Sequence, residues 1–251
     1  MPDTMDPEML PPAAASPGTR PTVYRHRIAT RLWHWVNAIA IFVLLGSGLT
    51  ILNAHPHLYW GVYGANFDHA WLHTPHWPSY LTIPASYNLA IARRWHLSFA
   101  LIFAFSLLFL IIASLLNRHF QRDLRLRARD LRGGILWHDF KEHLALRFHD
   151  PKNPQAYNVF QKLSYALVIF VLIPLMILTG LAMSPGMNAG WPWLLDLFGG
   201  RQSARSVHFI AAAGLVAFTI VHLALVILAG PFNEVRSMIT GRWTVPPEGE
   251  I

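Results

Sequence analysis

Four long apolar stretches restrict the folds that this chain of 251 residues can adopt. They cover about residues 32–52, 96–116, 163–183 and 207–229. Each reaches the length of about 20 apolar residues that a helix needs to cross the hydrocarbon core of a bilayer. Only 13% of the residues are charged, which is low for a soluble domain. The sequence therefore predicts an all-α membrane protein, built as a four-transmembrane-helix bundle.

Lysine and arginine side chains predict how the bundle is oriented. Of the 20 in the chain, four lie at or before Arg31, ten lie in residues 117–162, and two follow the fourth stretch. The opposite side has only Arg93, Arg94, Arg201 and Arg205. The positive-inside rule places both termini and residues 117–162 in the cytoplasm of a bacterial inner membrane, with residues 53–92 as a periplasmic loop. Basic residues that flank membrane spans contact lipid and give no support for nucleic acid binding.

Composition divides the chain into one membrane domain and two tails. Residues 1–22 are rich in proline and alanine and contain no apolar segment, so we expect a disordered tail there. The first span is then expected to act as its own insertion signal. The membrane domain is predicted to cover residues 23–243, and residues 244–251 are predicted to form a C-terminal tail.

Four histidines lie in or beside the apolar stretches: His34, His96, His208 and His222. An imidazole in hydrocarbon needs a partner, so a histidine inside a span indicates a functional site. His208 and His222 are fourteen residues apart, which puts them on one helix face at a separation of about 21 Å. Successive spans run in opposite directions, so His96 shares the outer side with His208, and His34 shares the inner side with His222. We therefore expect two bis-histidine haem sites stacked across the membrane.

The chain contains no cysteine, which excludes thiolate-bound iron–sulfur clusters and haem attached through thioether bonds. The expected cofactors are therefore two non-covalent haem b groups, held in the bundle core. Small residues accompany the histidines: Gly48 lies fourteen residues after His34, and Ala211 and Ala212 follow His208 by about one turn. These small residues either give a macrocycle room or serve helix packing, and the sequence leaves both readings open.

The chain resembles the bacterial cytochrome b561 superfamily in five segments: YRHRIATRLWHW, RRWH, YNVFQKLSYA, RSVHFIAAAGLVAFTIVH and NEVRSMITGRW. This superfamily includes the membrane cytochrome b subunits of nickel–iron hydrogenases, formate dehydrogenases and thiosulfate reductases. The resemblance covers about residues 23–243. It implies four transmembrane helices that hold two haems b through ligands at His34, His96, His208 and His222.

The resemblance also implies a quinone pocket near the cytoplasmic haem, at the start of the third helix. The matching positions are Asn158 and Gln161, which share a helix face because they are three residues apart. Asn158 is equally well suited to cap that helix, and the two roles are compatible. Arg93 and Arg94 precede His96 by about one turn, where they either pair with haem propionates or anchor the helix end.

The predicted periplasmic loop, residues 53–92, holds five histidines and many aromatic residues. It is similar to a subset of the superfamily associated with periplasmic molybdopterin oxidoreductases, which implies that a periplasmic redox subunit docks near this loop. Trp60, Trp71 and Trp77 suit a membrane interface or a protein contact. An alternative is a zinc site, provided that the segment is helical. Its candidate ligands are Asp68, His69, His73 and His76.

These observations favour electron transfer between the quinone pool and a periplasmic partner redox protein. Bis-histidine iron has no open coordination position and passes single electrons, so we expect an electron-transfer subunit of a respiratory complex and not its catalytic subunit. One alternative is a stand-alone superoxide:quinone oxidoreductase that uses the outer arginines as an anion funnel. Another is a metal-handling transporter that uses the outer histidines. A purely structural anchor would leave the paired membrane histidines unexplained.

Overall fold

The computed structural model describes residues 21–65, 68–116, 132–144 and 159–245. In chain order the elements are β1 (Thr22–Tyr24), α1 (Ile28–Ala54), β2 (His57–Leu58), β3 (Leu72–His73), α2 (Leu89–Leu116), α3 (Gly133–Leu144), α4 (Val159–Met183), α5 (Pro185–Gly190), α6 (Trp193–Leu197), α7 (Arg201–Leu228), α8 (Pro231–Thr240) and β4 (Arg242–Thr244). Helices α1, α2, α4 and α7 are each long and apolar enough to cross a membrane. The prediction of a four-helix membrane bundle is confirmed.

Each membrane helix begins before the apolar stretch from which it was predicted. The clearest case is α2, which begins at Leu89 and not near residue 96. Hydropathy marks only the part of a helix that lies in hydrocarbon, whereas the hydrogen-bonded helix continues into the interface. Arg93 and Arg94 are therefore helical and exposed in the first turns of α2.

The bundle packs α1 against α2 and α4 against α7. Its core contains Ala40, Phe103, Leu107, Ile173 and Leu215, and all five are buried. A polar contact joins the first two helices inside the core, where Ser106 Oγ lies 3.0 Å from Asn37 Oδ1. Many apolar side chains on the outer surfaces remain exposed, as expected of helices that face lipid.

Helix α4 is not a regular α-helix along its length. Residues Val168–Leu172 form a π-helical turn between the α-helical segments Val159–Leu167 and Ile173–Met183. Pro174 follows this turn and has no backbone N–H, so it cannot donate to the carbonyl of Phe170. The π-helical turn lies directly before the position where this hydrogen bond is missing.

Two short antiparallel strand pairs close the ends of the bundle. Strand β1 pairs with β4, which joins the segments before α1 and after α8 at the inner end of the bundle. Arg25 forms a salt bridge of 3.4 Å with Glu234 there, and Trp243 Nε1 donates to Glu234 Oε1 at 2.9 Å. Thr22 and Thr244, the residues at the edges of the two predicted tails, pair with each other in these strands. Sequence patterns miss such strands because three residues carry no periodicity.

The second strand pair, β2 with β3, lies in the outer loop, which is residues 55–88 between α1 and α2. Leu58 of β2 is buried beneath this loop. The end of the loop returns to α1, where the Asn53 amide group exchanges two hydrogen bonds of 2.9 and 2.8 Å with the backbone of Trp77. The outer loop is thus an ordered cap on the outer end of the bundle.

Candidate functional site

The outer histidine pair consists of His96 on α2 and His208 on α7. The centres of the two imidazole rings lie 6.3 Å apart, and the ring planes are inclined by 57°. The rings approach each other because each histidine lies near the outer start of its helix, and α2 and α7 run in the same direction. The structure therefore brings together the two histidines that depth had paired at the outer side.

The inner histidine pair consists of His34 on α1 and His222 on α7. Their ring centres also lie 6.3 Å apart, with planes inclined by 60°. Phe218, one turn before His222, stacks against its ring at 5.7 Å, and the ring of Tyr165 from α4 meets Phe218 at 6.5 Å. Aromatic side chains thus fix the inner pair from one side.

Both pairs fit an iron held between two imidazoles. A metal–imidazole bond is about 2 Å long and the ring centre lies about 1 Å behind the bound nitrogen, so two ligand rings should have centres about 6 Å apart. The separation of 6.3 Å is found in both pairs. Neutral imidazole on each face of the iron is the ligand set of bis-histidine cytochromes. The residues present therefore fit a haem at each position.

A hydroxyl group adjoins each outer histidine. Ser47 Oγ on α1 lies 3.0 Å from His96 Nδ1, and Thr179 Oγ1 on α4 lies 2.8 Å from His208 Nδ1. Both hydroxyl-bearing side chains are fully buried. In each imidazole the other nitrogen, Nε2, is then free to serve as a metal ligand, as expected for a histidine with an outer hydrogen-bond partner.

A glycine also adjoins each outer histidine. A Cβ atom built on Gly48 would lie 3.5 Å from His96 Cε1, and one built on Gly180 would lie 3.7 Å from His208 Cε1. Cε1 is bonded to both ring nitrogens, so a longer side chain at either glycine would enter the space beside Nε2. Gly48, the glycine fourteen residues after His34 in the sequence, thus lies beside His96, and Gly180 is a second glycine at the outer pair that was not expected from the sequence.

At the inner pair, His34 has no hydroxyl contact like those of the outer histidines within the described part of the chain. The Nδ1 atom of His34 is buried and has no hydrogen-bond partner among the described residues. A buried ring nitrogen without a partner is unfavourable unless another group satisfies the ring. The two pairs therefore have the same ring spacing but different polar surroundings.

Hydrogen bonds tie the outer loop to the start of α7, close to His208. Ser206 Oγ donates to the carbonyl of Tyr59 at 2.6 Å and accepts from Trp71 Nε1 at 2.9 Å. Gly200 precedes α7 with a φ of 112°, and a Cβ there would lie 2.7 Å from the carbonyl oxygen of Gly61. Glycine is required at this position because the loop backbone passes so close.

The outer-loop histidines do not form the zinc site that was considered. His73 lies in β3 and not in a helix, and its ring stacks on that of His57 with centres 4.4 Å apart. Within the described parts of the chain, no group of three or more histidine, aspartate or glutamate side chains is arranged to hold a metal ion. The helical spacing of His69 and His73 had suggested otherwise, but strand pairing separates these residues.

The outer arginines have different environments. Arg205 donates to the backbone carbonyls of His55 and His57, the latter at 3.1 Å, so it holds the outer loop. Arg93 and Arg94 are exposed. Burial, followed by the positive charges of Arg205 and Arg93, lowers the pKa of the His55 imidazole below its ordinary value. Arg205 thus keeps its positive charge, while its donor groups are directed at the backbone of the outer loop.

The two residues expected at the quinone site are only partly described. Asn158 lies outside the described residues, and Gln161 is half-buried in the first turn of α4. The first turn is fixed by Asp139 of α3, whose Oδ2 accepts from the backbone N–H of Phe160 at 3.0 Å. Asp139 thus supplies a cap to α4, a role for which the sequence had suggested Asn158.

Ser47, Thr179 and Gly180 belong to the outer site, but no pattern in the sequence singled them out. Serine and threonine are common in membrane helices because they hydrogen-bond to their own backbone, so neither stands out. A signal was nevertheless present, since each hydroxyl residue is followed directly by a glycine: Ser47 by Gly48 and Thr179 by Gly180. The repeated dipeptide, in the first and third spans, marks both helices that flank the outer pair.

Comparison with known proteins identifies the family that the chain resembles over most of its length. A family model described as prokaryotic cytochrome b561 matches residues 25–241. The chain is 27% identical to a probable Ni/Fe-hydrogenase B-type cytochrome subunit from Cupriavidus necator, over 91% of this chain and 90% of that protein. It is 29% identical to a putative protein-methionine-sulfoxide reductase subunit YedZ1 from Azospira oryzae, over 79% of this chain and 87% of that protein. No solved structure is detectably similar to it.

Proposed function

The chain belongs to the prokaryotic cytochrome b561 family, and we propose that it holds two haems b and carries electrons between a quinone and a periplasmic redox protein. As a member of this family it is a membrane-embedded b-type cytochrome subunit for electron transfer. The number of haems, the quinone and the partner are the proposed parts of the function.

The observation that carries the proposal is the presence of two histidine pairs with one ring spacing. His96 with His208 and His34 with His222 each have ring centres 6.3 Å apart. His208 and His222 share helix α7, and fourteen residues of helix separate the two pairs by about 21 Å along its axis. This distance spans much of a hydrocarbon core about 30 Å thick.

The histidines determine what kind of chemistry the sites permit. A haem b bound between two imidazoles exchanges single electrons. Because each pair would supply two imidazole ligands to an iron, the protein would leave no coordination position for oxygen or a substrate. Any catalytic centre then belongs to a partner, since this chain also has no cysteine to hold an iron–sulfur cluster.

The proposed orientation puts both termini in the cytoplasm of the inner membrane. Pairing of β1 with β4 places the segments before α1 and after α8 at the same end of the bundle, which is the end of the inner pair. Most lysines and arginines of the chain belong to segments at this end, as the positive-inside rule requires of a cytoplasmic side. The outer loop is then periplasmic.

The outer loop is the proposed docking site for the periplasmic redox subunit. Trp60 and Trp71 stack with ring centres 5.5 Å apart and keep 52% and 40% of their surface exposed. Aromatic residues of this kind are enriched in protein interfaces. Relatives carry the names of hydrogenase and reductase subunits. We propose a molybdopterin oxidoreductase or a similar dehydrogenase or reductase as the partner.

The proposed quinone site lies at the opposite end, at the start of α4. Gln161 and Asn158 would offer amide groups that hydrogen-bond quinone carbonyls, and Asp139 holds the first turn of α4, which carries Gln161. Tyr165 lies one turn further along α4 and contacts Phe218, which stacks on His222. A chain of contacts thus connects the start of α4 with the inner histidine pair.

The proposal is tested by purifying the native complex in detergent and measuring its haem content. A pyridine haemochrome assay should give two haems b per chain, with low-spin spectra in both redox states, and a periplasmic redox subunit should co-purify. One haem or none per chain would contradict the proposal. Quinone reduction that depends on superoxide, in the isolated chain without a partner, would favour the stand-alone oxidoreductase instead.

A further inference from the structure

The contacts of the Ser47 hydroxyl define the position of its hydrogen. Ser47 Oγ lies 2.7 Å from the carbonyl oxygen of Val43, 3.2 Å from that of Leu44 and 3.0 Å from His96 Nδ1. Two oxygens at 2.7 Å need a hydrogen between them, and only the hydroxyl has one to give. The hydroxyl therefore donates to the Val43 carbonyl and can only accept from His96, whose Nδ1 must carry a hydrogen.

Thr179 repeats this arrangement on α4. Its Oγ1 lies 2.6 Å from the carbonyl oxygen of Leu175 and 2.8 Å from His208 Nδ1. The same reasoning makes the Thr179 hydroxyl a donor to its own helix and an acceptor from His208. Both outer histidines are therefore held as the tautomer with hydrogen on Nδ1 and a lone pair on Nε2.

The inner pair provides a contrast within the same molecule. His34 Nδ1 has no hydrogen-bond partner among the described residues. Thr219 on α7 donates to the carbonyl of Leu215 at 2.8 Å, like Thr179, but this is its only side-chain hydrogen bond in the described part of the chain. Within the described residues, the outer pair is thus the one in which each histidine has a hydroxyl acceptor beside Nδ1.

We propose that Ser47 and Thr179 are positioning residues that fix the tautomer and orientation of His96 and His208 and lower the midpoint potential of the outer haem. A hydrogen-bond acceptor behind Nδ1–H makes the imidazole a more basic ligand. A more basic ligand stabilises ferric over ferrous iron, and second-shell hydrogen bonding is an established means of tuning haem. The inference rests on the proposed function, because it requires a haem at this site.

The test compares redox titrations of the purified holoprotein and of Ser47→Ala, Thr179→Val and Thr179→Ser. Loss of one hydroxyl should raise the midpoint potential of the outer component alone. The expected shift in its reduction equilibrium is a few-fold to about tenfold, which is at most about 59 mV for one electron. Thr179→Ser keeps a hydroxyl and should restore the original potential. Electron paramagnetic resonance of the ferric protein should show a matching change in the outer signal, because ring orientation changes.

Thr219→Val is the matched control, since it removes a threonine hydroxyl that contacts no outer histidine; the outer potential should not move. If Thr179→Val loses the outer haem while Thr179→Ser retains it, the need for a hydroxyl is supported. Loss of the outer haem in both Thr179 variants would overturn the inference. Unchanged midpoint potentials in Ser47→Ala and Thr179→Val would also overturn it, as would an equal shift in the potentials of the outer and inner haems. Absence of haem from the unmodified protein would instead refute the proposed function itself.

Discussion

The rings of His34 and His222 lie 6.3 Å apart, the same separation as the rings of His96 and His208 at the other end of the bundle. Equal spacing at two depths is not required by helix packing, which places side chains of many lengths between helices. It is expected if each pair holds a metal ion of the same kind.

Gly48→Leu and Gly180→Leu should each remove the outer haem while leaving the inner one. A Cβ atom at Gly48 would already lie 3.5 Å from the His96 ring, and one at Gly180 would lie 3.7 Å from the His208 ring. The rest of either leucine side chain would extend into the space beside these rings. The check is haem content together with a redox titration. Gly186→Leu is the control, because a Cβ there meets nothing within 4 Å. Retention of both haems in both variants would show that these glycines serve helix packing alone.

Gln161→Leu and Asn158→Leu should slow electron exchange with a soluble quinone while both haem spectra stay intact. Loss of one hydrogen bond in a partly buried pocket costs about 1–3 kcal/mol, which is roughly a five- to hundredfold loss of affinity. Stopped-flow reoxidation of the reduced protein measures the effect.

Asp139→Ala separates the quinone role from helix capping. It removes the acceptor of the Phe160 N–H and should lower the stability of the fold by about 1 kcal/mol. Its quinone kinetics per folded molecule should not change. Unchanged rates in both amide variants would exclude Gln161 and Asn158 from the quinone site.

Ser206→Ala should loosen the outer loop without removing a haem. Ser206 is fully buried, and its hydroxyl links Tyr59 to Trp71. Removing it leaves a buried carbonyl and an indole N–H without this partner, at a cost of about 1–3 kcal/mol. Hydrogen–deuterium exchange should accelerate in residues 57–73 and stay constant in α2 and α4. Unchanged protection in the loop would mean that its other anchors suffice.

His55 should make the stability of the protein sensitive to acid. Burial, followed by the charges of Arg205 and Arg93, holds the pKa of its imidazole below the ordinary value of 6.5. Between that value and the lowered one, the unfolded chain binds more protons than the folded chain, so stability decreases as the pH falls through this range. Thermal unfolding from neutral pH to about pH 5 should lose less stability in His55→Gln than in the unmodified protein. Equal losses would contradict this assignment.

The membrane bundle and its histidine pairing could be predicted from sequence because both depend on regular geometry. A span has a characteristic length and a helix a fixed rise, so the depths of His96 and His208 follow from their positions. Membership of the cytochrome b561 family is confirmed by the family model.

The outer loop and the terminal strands could not be predicted in the same way. Pairing of His57 with His73, or of Thr22 with Thr244, joins residues distant in sequence through strands of two or three residues. The contacts of Ser47 and Thr179 with the outer histidines likewise depend on which helices are neighbours. Such contacts arise from tertiary packing, about which local patterns carry little information.

The measurement that tests the central claim most directly is an anaerobic redox titration, followed by visible absorption, of four single variants. These are His34→Ala, His96→Ala, His208→Ala and His222→Ala. The pairing seen in the structure predicts that His96→Ala and His208→Ala abolish one component, and that His34→Ala and His222→Ala abolish the other. If His34→Ala and His96→Ala abolished the same component, or if any variant left both components intact, the two-site account would be contradicted.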